Sequence, residues 1–153
     1  MLDSYYRAFI AEQRYLMYLD GLKMTLLVSL LAIILGVALG TILALMRMTA
    51  ERRGKSTLLS KIAYVYIDII RGTPTVTQLL IMYFVVLKGV DGLIVGTVTF
   101  GLNSAAYVAE IIRAGILAVD HGQMEGGRSL GLSYGQTMKD IILPQAVKNI
   151  LPA

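Results

Sequence analysis

Cysteine is absent from the 153 residues, and histidine occurs once, at position 121. The first absence rules out disulfides and thiolate metal sites and leaves the redox compartment open. The second leaves no basis for a His-based metal cluster or a Ser/His catalytic pair. Charge is also scarce, at 16% of the chain, and it is bunched so that long stretches carry none. There is no low-complexity tract, internal repeat, Gly-rich phosphate loop or nucleophile elbow, so no motif for ATP binding or covalent catalysis is present. What is plentiful is apolar: 56% of residues. A soluble domain this short cannot bury that much apolar surface, and a lipid solvent accounts for it better. The formal charge of +4 does not point to nucleic acid, because the basic residues flank apolar runs instead of lining one face.

Met24 to Met46 is an uncharged run of about 23 residues, enough to cross a hydrocarbon core of roughly 30 Å. Its length, the charged leader before it and Arg47, Arg52 and Arg53 after it distinguish it from a cleaved signal peptide. Gly36 and Gly40 sit one turn apart, which either permits close helix approach or reflects the general use of glycine in membrane helices. Arg47, Arg52, Arg53, Lys55 and Lys61 crowd the next segment, whereas the following loop holds only Lys88, which predicts 47–61 in the cytoplasm and the N-terminus outside. Residues 1–21 mix aromatic, aliphatic and charged side chains, a pattern suited to an interfacial helix or a disordered leader. Residues 57–70 read as a helix near the cytoplasmic interface, interrupted by Arg71-Gly72-Thr73-Pro74, since proline lacks an amide donor and disfavours helix before it. The expected spans are 22–46, 74–89 and 92–116, followed by a cytoplasmic loop over 117–145, all within one domain of 1–153. Pro144 and Pro152 are expected to limit regular helix near the end.

Three polar features fall inside or beside the bilayer. Arg71 to Pro74 is an interfacial anchor or a functional break. Asn103, Ser104 and Tyr107 either bond a neighbouring helix or line a polar path. Glu110 and Arg113 are three apart and share a helical face, as a topology lock or a functional pair. Asn103, Ser104, Tyr107 and Glu110 are the candidates for a translocation path. No catalytic group, metal ligand or cofactor is indicated.

Glu125-Gly126-Gly127, three residues, Gly131, nine residues, Ile141, one residue and Leu143-Pro144 reproduce a known spacing. The segment resembles the E-A-A loop of the permease subunits of binding-protein-dependent ABC importers, with both alanines replaced by glycine. Gly21 to Leu26, Tyr66 to Pro74 and Asn103 to Arg113 look like the polar amino acid uptake branch of that family. The resemblance implies an all-α, polytopic membrane bundle of the type I importer class, with about three of the usual five spans and the coupling loop. It implies a non-enzymatic permease of the inner membrane that imports polar amino acids by alternating access. Its implied partners are an ATP-binding subunit that hydrolyses ATP, a second permease subunit, an extracytoplasmic solute-binding protein and membrane lipid, with no nucleic acid. Glu125, Gly126, Gly127, Arg128, Gly131, Ile141, Leu143 and Pro144 would then form the ATPase-coupling segment. Gly131 suits the turn between its two helices, and the paired glycines are expected to loosen the first by about 1 kcal/mol each. Since the family continues through two further spans, the chain is expected to be a fragment or a truncated product. A membrane scaffold or assembly protein is the alternative of another class.

Overall fold

A computed structural model describes residues 6, 11–53 and 57–152. Among them every regular element is helical and none is a strand. A single turn at Ala11–Gln13 leads into α1, Arg14–Arg53, a 40-residue helix about 60 Å long. Arg14 to Gly21 is thus the start of the long helix and no separate interfacial element. Nothing there breaks a helix: there is no proline, and Gly21 lies in open space.

The partner of α1 is α4, Gly92–Leu117. A Cβ on Gly36 would meet Ser104 Cβ at 2.7 Å, and one on Gly40 would meet Val108 Cβ at 2.7 Å and the Ala105 carbonyl at 2.8 Å. From the other side, a Cβ on Gly101 would run into Leu35. Ala44, Ala106 and Ala109 continue the same seam at zero exposure. Of the two readings of Gly36 and Gly40, close helix approach is the one seen.

Contacts climb together along both chains, from Gly96 beside Val28 to Glu110 beside Arg47, so α1 and α4 run parallel. Residues 57–91 therefore carry the chain back along about 30 Å of helix axis. Two shorter helices make that return. The first, α2, spans Leu58–Gly72 and starts at a reciprocal cap, with Thr57 Oγ1 accepting from Ser60 N and Ser60 Oγ accepting from Thr57 N. Thr73 is extended, Pro74 caps the next helix, and α3 runs over Thr75–Ile81 with a widened turn at Met82–Val86. The two are bent by 105°, and only as a pair do they match the length and composition of a span. Within the span expected over 74–89, the helical residues are the twelve of Thr75–Val86, beyond a sharp bend at the expected break.

A bend at membrane depth strands backbone carbonyls. Gln78 collects them: its Nε2 donates to the carbonyls of Ile70 and Thr73 at 2.8 and 3.1 Å and to Thr73 Oγ1 at 2.7 Å. Its Oε1 accepts from Asn103 Nδ2 at 3.2 Å, and Tyr66 donates its hydroxyl to the Leu102 carbonyl at 2.7 Å. The bend is thereby tied to α4.

Beyond α4 lie α5 (His121–Ser129), α6 (Tyr134–Thr137), a widened turn at Met138–Ile142 and α7 (Leu143–Ile150). These elements fold back on the end of α4 around buried Val119, Ile142 and Ala146. Asn149 Nδ2 donates to the Gly115 carbonyl at 3.3 Å, and Ile150 fills the space where a Gly115 side chain would stand. Helix continues through Pro144, which sits in the first turn of α7. The widened turn just before it offsets the missing donor, since Leu143 N bonds Met138 O across five residues.

Candidate functional site

Two places on this frame gather polar groups. The first is a cleft of about 470 Å³ between α1, α2 and α4, lined by Arg47, Tyr64, Asp68, Arg71, Tyr107 and Glu110 among others. Glu110 is its centre. Its Oε2 accepts from Arg47 Nη1 at 2.7 Å, and its Oε1 accepts from Arg113 Nε and Nη2 at 3.1 and 2.6 Å. Arg71 Nη1 stays 3.9 Å from Oε2. Two tyrosine faces hold the guanidiniums: Arg47 lies 5.4 Å from the Tyr64 ring centroid, and Arg71 lies 5.6 Å from that of Tyr107. The carboxylate side chain is only 22% exposed, so removing its charge would leave cations clustered without compensation.

The four path candidates separate here. Tyr107 and Glu110 line the cleft. Asn103 is committed to Gln78, and Ser104 packs against Gly36 in the α1–α4 seam. Helical rotation explains the split, because neighbouring positions project about 100° apart. Arg47, Asp68 and Tyr64 enter the cleft without having been singled out, and Arg71 enters as more than an anchor. Only the i, i+3 pair of Glu110 with Arg113 had a local signature; Arg47 arrives from 63 residues away.

The second place is the unit beyond α4. Asp120 caps α5, its Oδ1 accepting from Gly122 N at 2.6 Å. The helix runs through both glycines at 126 and 127, then stops at Gly131, whose φ of 85° suits a residue without a side chain. The stop is a complete Schellman arrangement, with Leu132 N bonding Gly127 O and Gly131 N bonding Arg128 O. Ser133 and Gln136 form a reciprocal cap for α6, a signal written in the sequence as Ser-x-x-Gln and missed there.

The coupling candidates fall on both sides of this unit. Glu125, Gly126 and Arg128 are exposed, as is Leu130 at 82%. Arg128 donates to the Leu132 carbonyl at 3.1 Å. Leu143 and Pro144 are exposed at the start of α7, whereas Ile141 packs against the buried cluster. Gly127 is buried: a Cβ there would meet Thr137 Cγ2 at 2.5 Å and Ile141 Cδ1 at 3.1 Å. Gly126 has nothing within 4 Å of its Cβ position. The two glycines, alike in sequence, are thus unlike in structure.

Parallel glycine-stitched helices, a bent return and a capped helical unit beyond them define a polytopic, all-helical membrane protein. The family model for the binding-protein-dependent transport system inner membrane component matches residues 36–153, and the chain belongs to that family. It is 46% identical over 139 residues to the arginine transport system permease protein ArtQ of Bacillus subtilis (strain 168), covering 88% of this chain and 61% of that protein. It is 44% identical over 142 residues to the putative glutamine transport system permease protein GlnP of Rickettsia bellii (strain RML369-C), covering 90% and 63% respectively. The chain thus spans about six-tenths of the length of these relatives. A solved structure described as an amino acid ABC transporter with histidines matches with a TM-score of 0.80 at 42% identity, over 94% of this chain and 67% of that one.

Proposed function

We infer that this chain is the permease portion of an ABC importer for amino acids, moving its solute by ATP-driven alternating access. The observation that carries the reading is the α5–α7 unit. It presents Glu125, Gly126, Arg128 and Leu130 outward while its inner face is anchored on α4. A large exposed aliphatic side chain at the tip of a rigid, fully capped helix is the form expected of a docking element. The occupant is a separate ATP-binding subunit, whose closure would push on α5 and, through α7, on α4. The names of the relatives support an amino acid as the solute, with arginine in one and glutamine in another.

The cleft at Glu110 opens beside the same end of α4 and is the proposed part of the solute path in this chain. Arg47 and Arg113 lie at one end of the parallel pair, which supports a cytoplasmic position for that end and an outer position for the N-terminus. A second permease subunit would complete the path, and an extracytoplasmic binding protein would deliver the solute.

The test is uptake of labelled glutamine and arginine into proteoliposomes holding the full-length protein, its ATP-binding subunit and the binding protein. Uptake is expected to require ATP and to fall at least several-fold in Leu130→Asp, with ATP hydrolysis no longer stimulated. Uptake that persists without nucleotide, or assembly without any uptake, would sink the reading; the second result would favour a scaffold.

A further inference from the structure

Helices α1 and α3 are held to α4 in different ways. Small residues stitch α1 to it, with Gly36, Gly40 and Ala44 close against α4. By contrast, α3 buries none of its seven residues. Between the bend and α4 lies a cavity of about 240 Å³, lined by Ile69, Ile70, Thr77, Ile81, Thr99 and Leu102 among others. Side chains that face a void gain no contact across it, so close packing does not fix the bend on α4.

The fixing is polar, and it runs through Gln78. The carbonyls of Ile70 and Thr73 and the Thr73 hydroxyl all face its Nε2, which leaves Oε1 to accept from the Asn103 amide. Among the described residues this is the one side-chain hydrogen bond between α3 and α4. Gln78 therefore joins α4 to both arms of the bend, because Ile70 belongs to α2 and Gln78 itself to α3. Ile70 adjoins Arg71, so the same link sets where the end of α2 stands against Glu110 in the cleft. At the other end, Asn103 lies twelve residues, about 18 Å along the helix, from Gly115, on which Asn149 and Ile150 seat the α5–α7 unit.

We propose that Gln78 is a positioning residue for transport: held by Asn103, it makes the bent α2–α3 return one rigid body with α1 and α4. A push on α5–α7 then moves the whole group, and with it the α2 wall of the cleft. A hydrogen bond between helices suits the task, since it fixes direction where the packing is open. Without it, α4 slides beneath the bend and the cavity takes up the stroke. The role rests on the importer reading, which supplies the push.

The experiment reads one distance and one ratio in the full-length permease, assembled with its ATP-binding subunit and binding protein in proteoliposomes. Spin labels at Leu30 on α1 and Val85 beyond α3, both exposed, report the separation of the two elements with and without ATP. The wild type is expected to give one narrow distance that ATP does not shift. Asn103→Leu keeps the side chain's shape but removes the donor, cutting the link on the α4 side. It is expected to broaden the distance or make it respond to ATP, to keep ATP hydrolysis within about twofold, and to lower solute moved per ATP by about fivefold. Gln78→Glu sets an acceptor against the bend carbonyls and cuts the link on the other side. It should reproduce the uncoupling and also lower the thermal midpoint, and the double variant should transport no worse than Gln78→Glu alone. A wild-type distance that shifts with ATP, or Asn103→Leu with the wild-type distance and ratio, would overturn the role. So would uptake and ATP hydrolysis falling in equal proportion, as in a merely destabilised protein. Should the variants fail to assemble, the wild-type distance decides: fixed, it upholds the rigid body, and shifted, it overturns it. Wild-type uptake that ignores ATP overturns the importer reading instead, and the distance measurement is unaffected by that result.

Discussion

The same two helices, α1 and α4, meet under opposite rules at two levels. From Gly36 to Ala44 the contact is made by removing side chains: glycine and alanine let the backbones approach until a single added carbon would collide. Three residues beyond, at Arg47, the contact is made by charge, a carboxylate shared between guanidiniums from α1 and from α4 itself. The seam is close-packed and uncharged, whereas the cluster is held by paired charges. Close backbones at Gly40 stand beside an Arg47 Nη1 that lies 2.7 Å from Glu110 Oε2.

Breaking the cluster should have the largest effect. Glu110→Ala leaves Arg47 and Arg113 facing each other in a site mostly shielded from water, and a loss of about 3 kcal/mol is expected. Thermal unfolding of the full-length protein in detergent would read it as a drop in midpoint; an unchanged midpoint would show that the arginines are solvated on their own. Arg71→Gln is the control that sharpens this contrast. Its side chain is 43% exposed and meets Glu110 only at 3.9 Å and the Tyr107 face at 5.6 Å, so it should move stability by less than about 1 kcal/mol. Next in size is the seam. Gly40→Ala places a methyl group against Val108 Cβ and the Ala105 carbonyl, neither of which is a flexible chain end, for a loss of about 2 kcal/mol. If the alanine variant unfolds with the wild type, the close approach is not what holds the helices.

How much of this could be read from the sequence follows the range of each interaction. The all-helical membrane class was legible because uncharged runs and flanking cations are local properties of the chain. Gly131 was legible too, since a left-handed stop needs glycine wherever it lies. The Glu110–Arg113 pair was legible from its three-residue spacing. Arg47, Asp68 and Arg71 were not gathered around it, because they come from other helices and nothing local distinguishes them from interfacial anchors. The place of Ser104 against Gly36 was not legible for the same reason: its hydroxyl says nothing about which way α4 is turned. Gln78 carries no motif, yet it satisfies the carbonyls that the bend sets free. The 105° bend itself was half legible, in Pro74 but not in its angle.

Effects smaller than those of the cluster and the seam are expected at Gly126 and Gly127, where one chemical change should act in two directions. Helix propensity alone favours alanine at both by about 1 kcal/mol. At Gly126 nothing opposes it, because the Cβ position is open to solvent, so Gly126→Ala should firm α5 by up to about that amount. At Gly127 the methyl group would enter the space of Thr137, a fully buried, β-branched side chain with little rotamer freedom. Overpacking there costs about 1–3 kcal/mol, which exceeds the propensity gain and gives a net loss of about 1 kcal/mol. Amide exchange across α5 would separate the two: slower in Gly126→Ala, faster in Gly127→Ala. Slower exchange in both would mean that Thr137 yields and that the glycines only loosen the helix. Faster exchange in Gly127→Ala alone would mean that this glycine holds α5 against the turn at Met138–Ile142, and with it the exposed face of Glu125, Arg128 and Leu130.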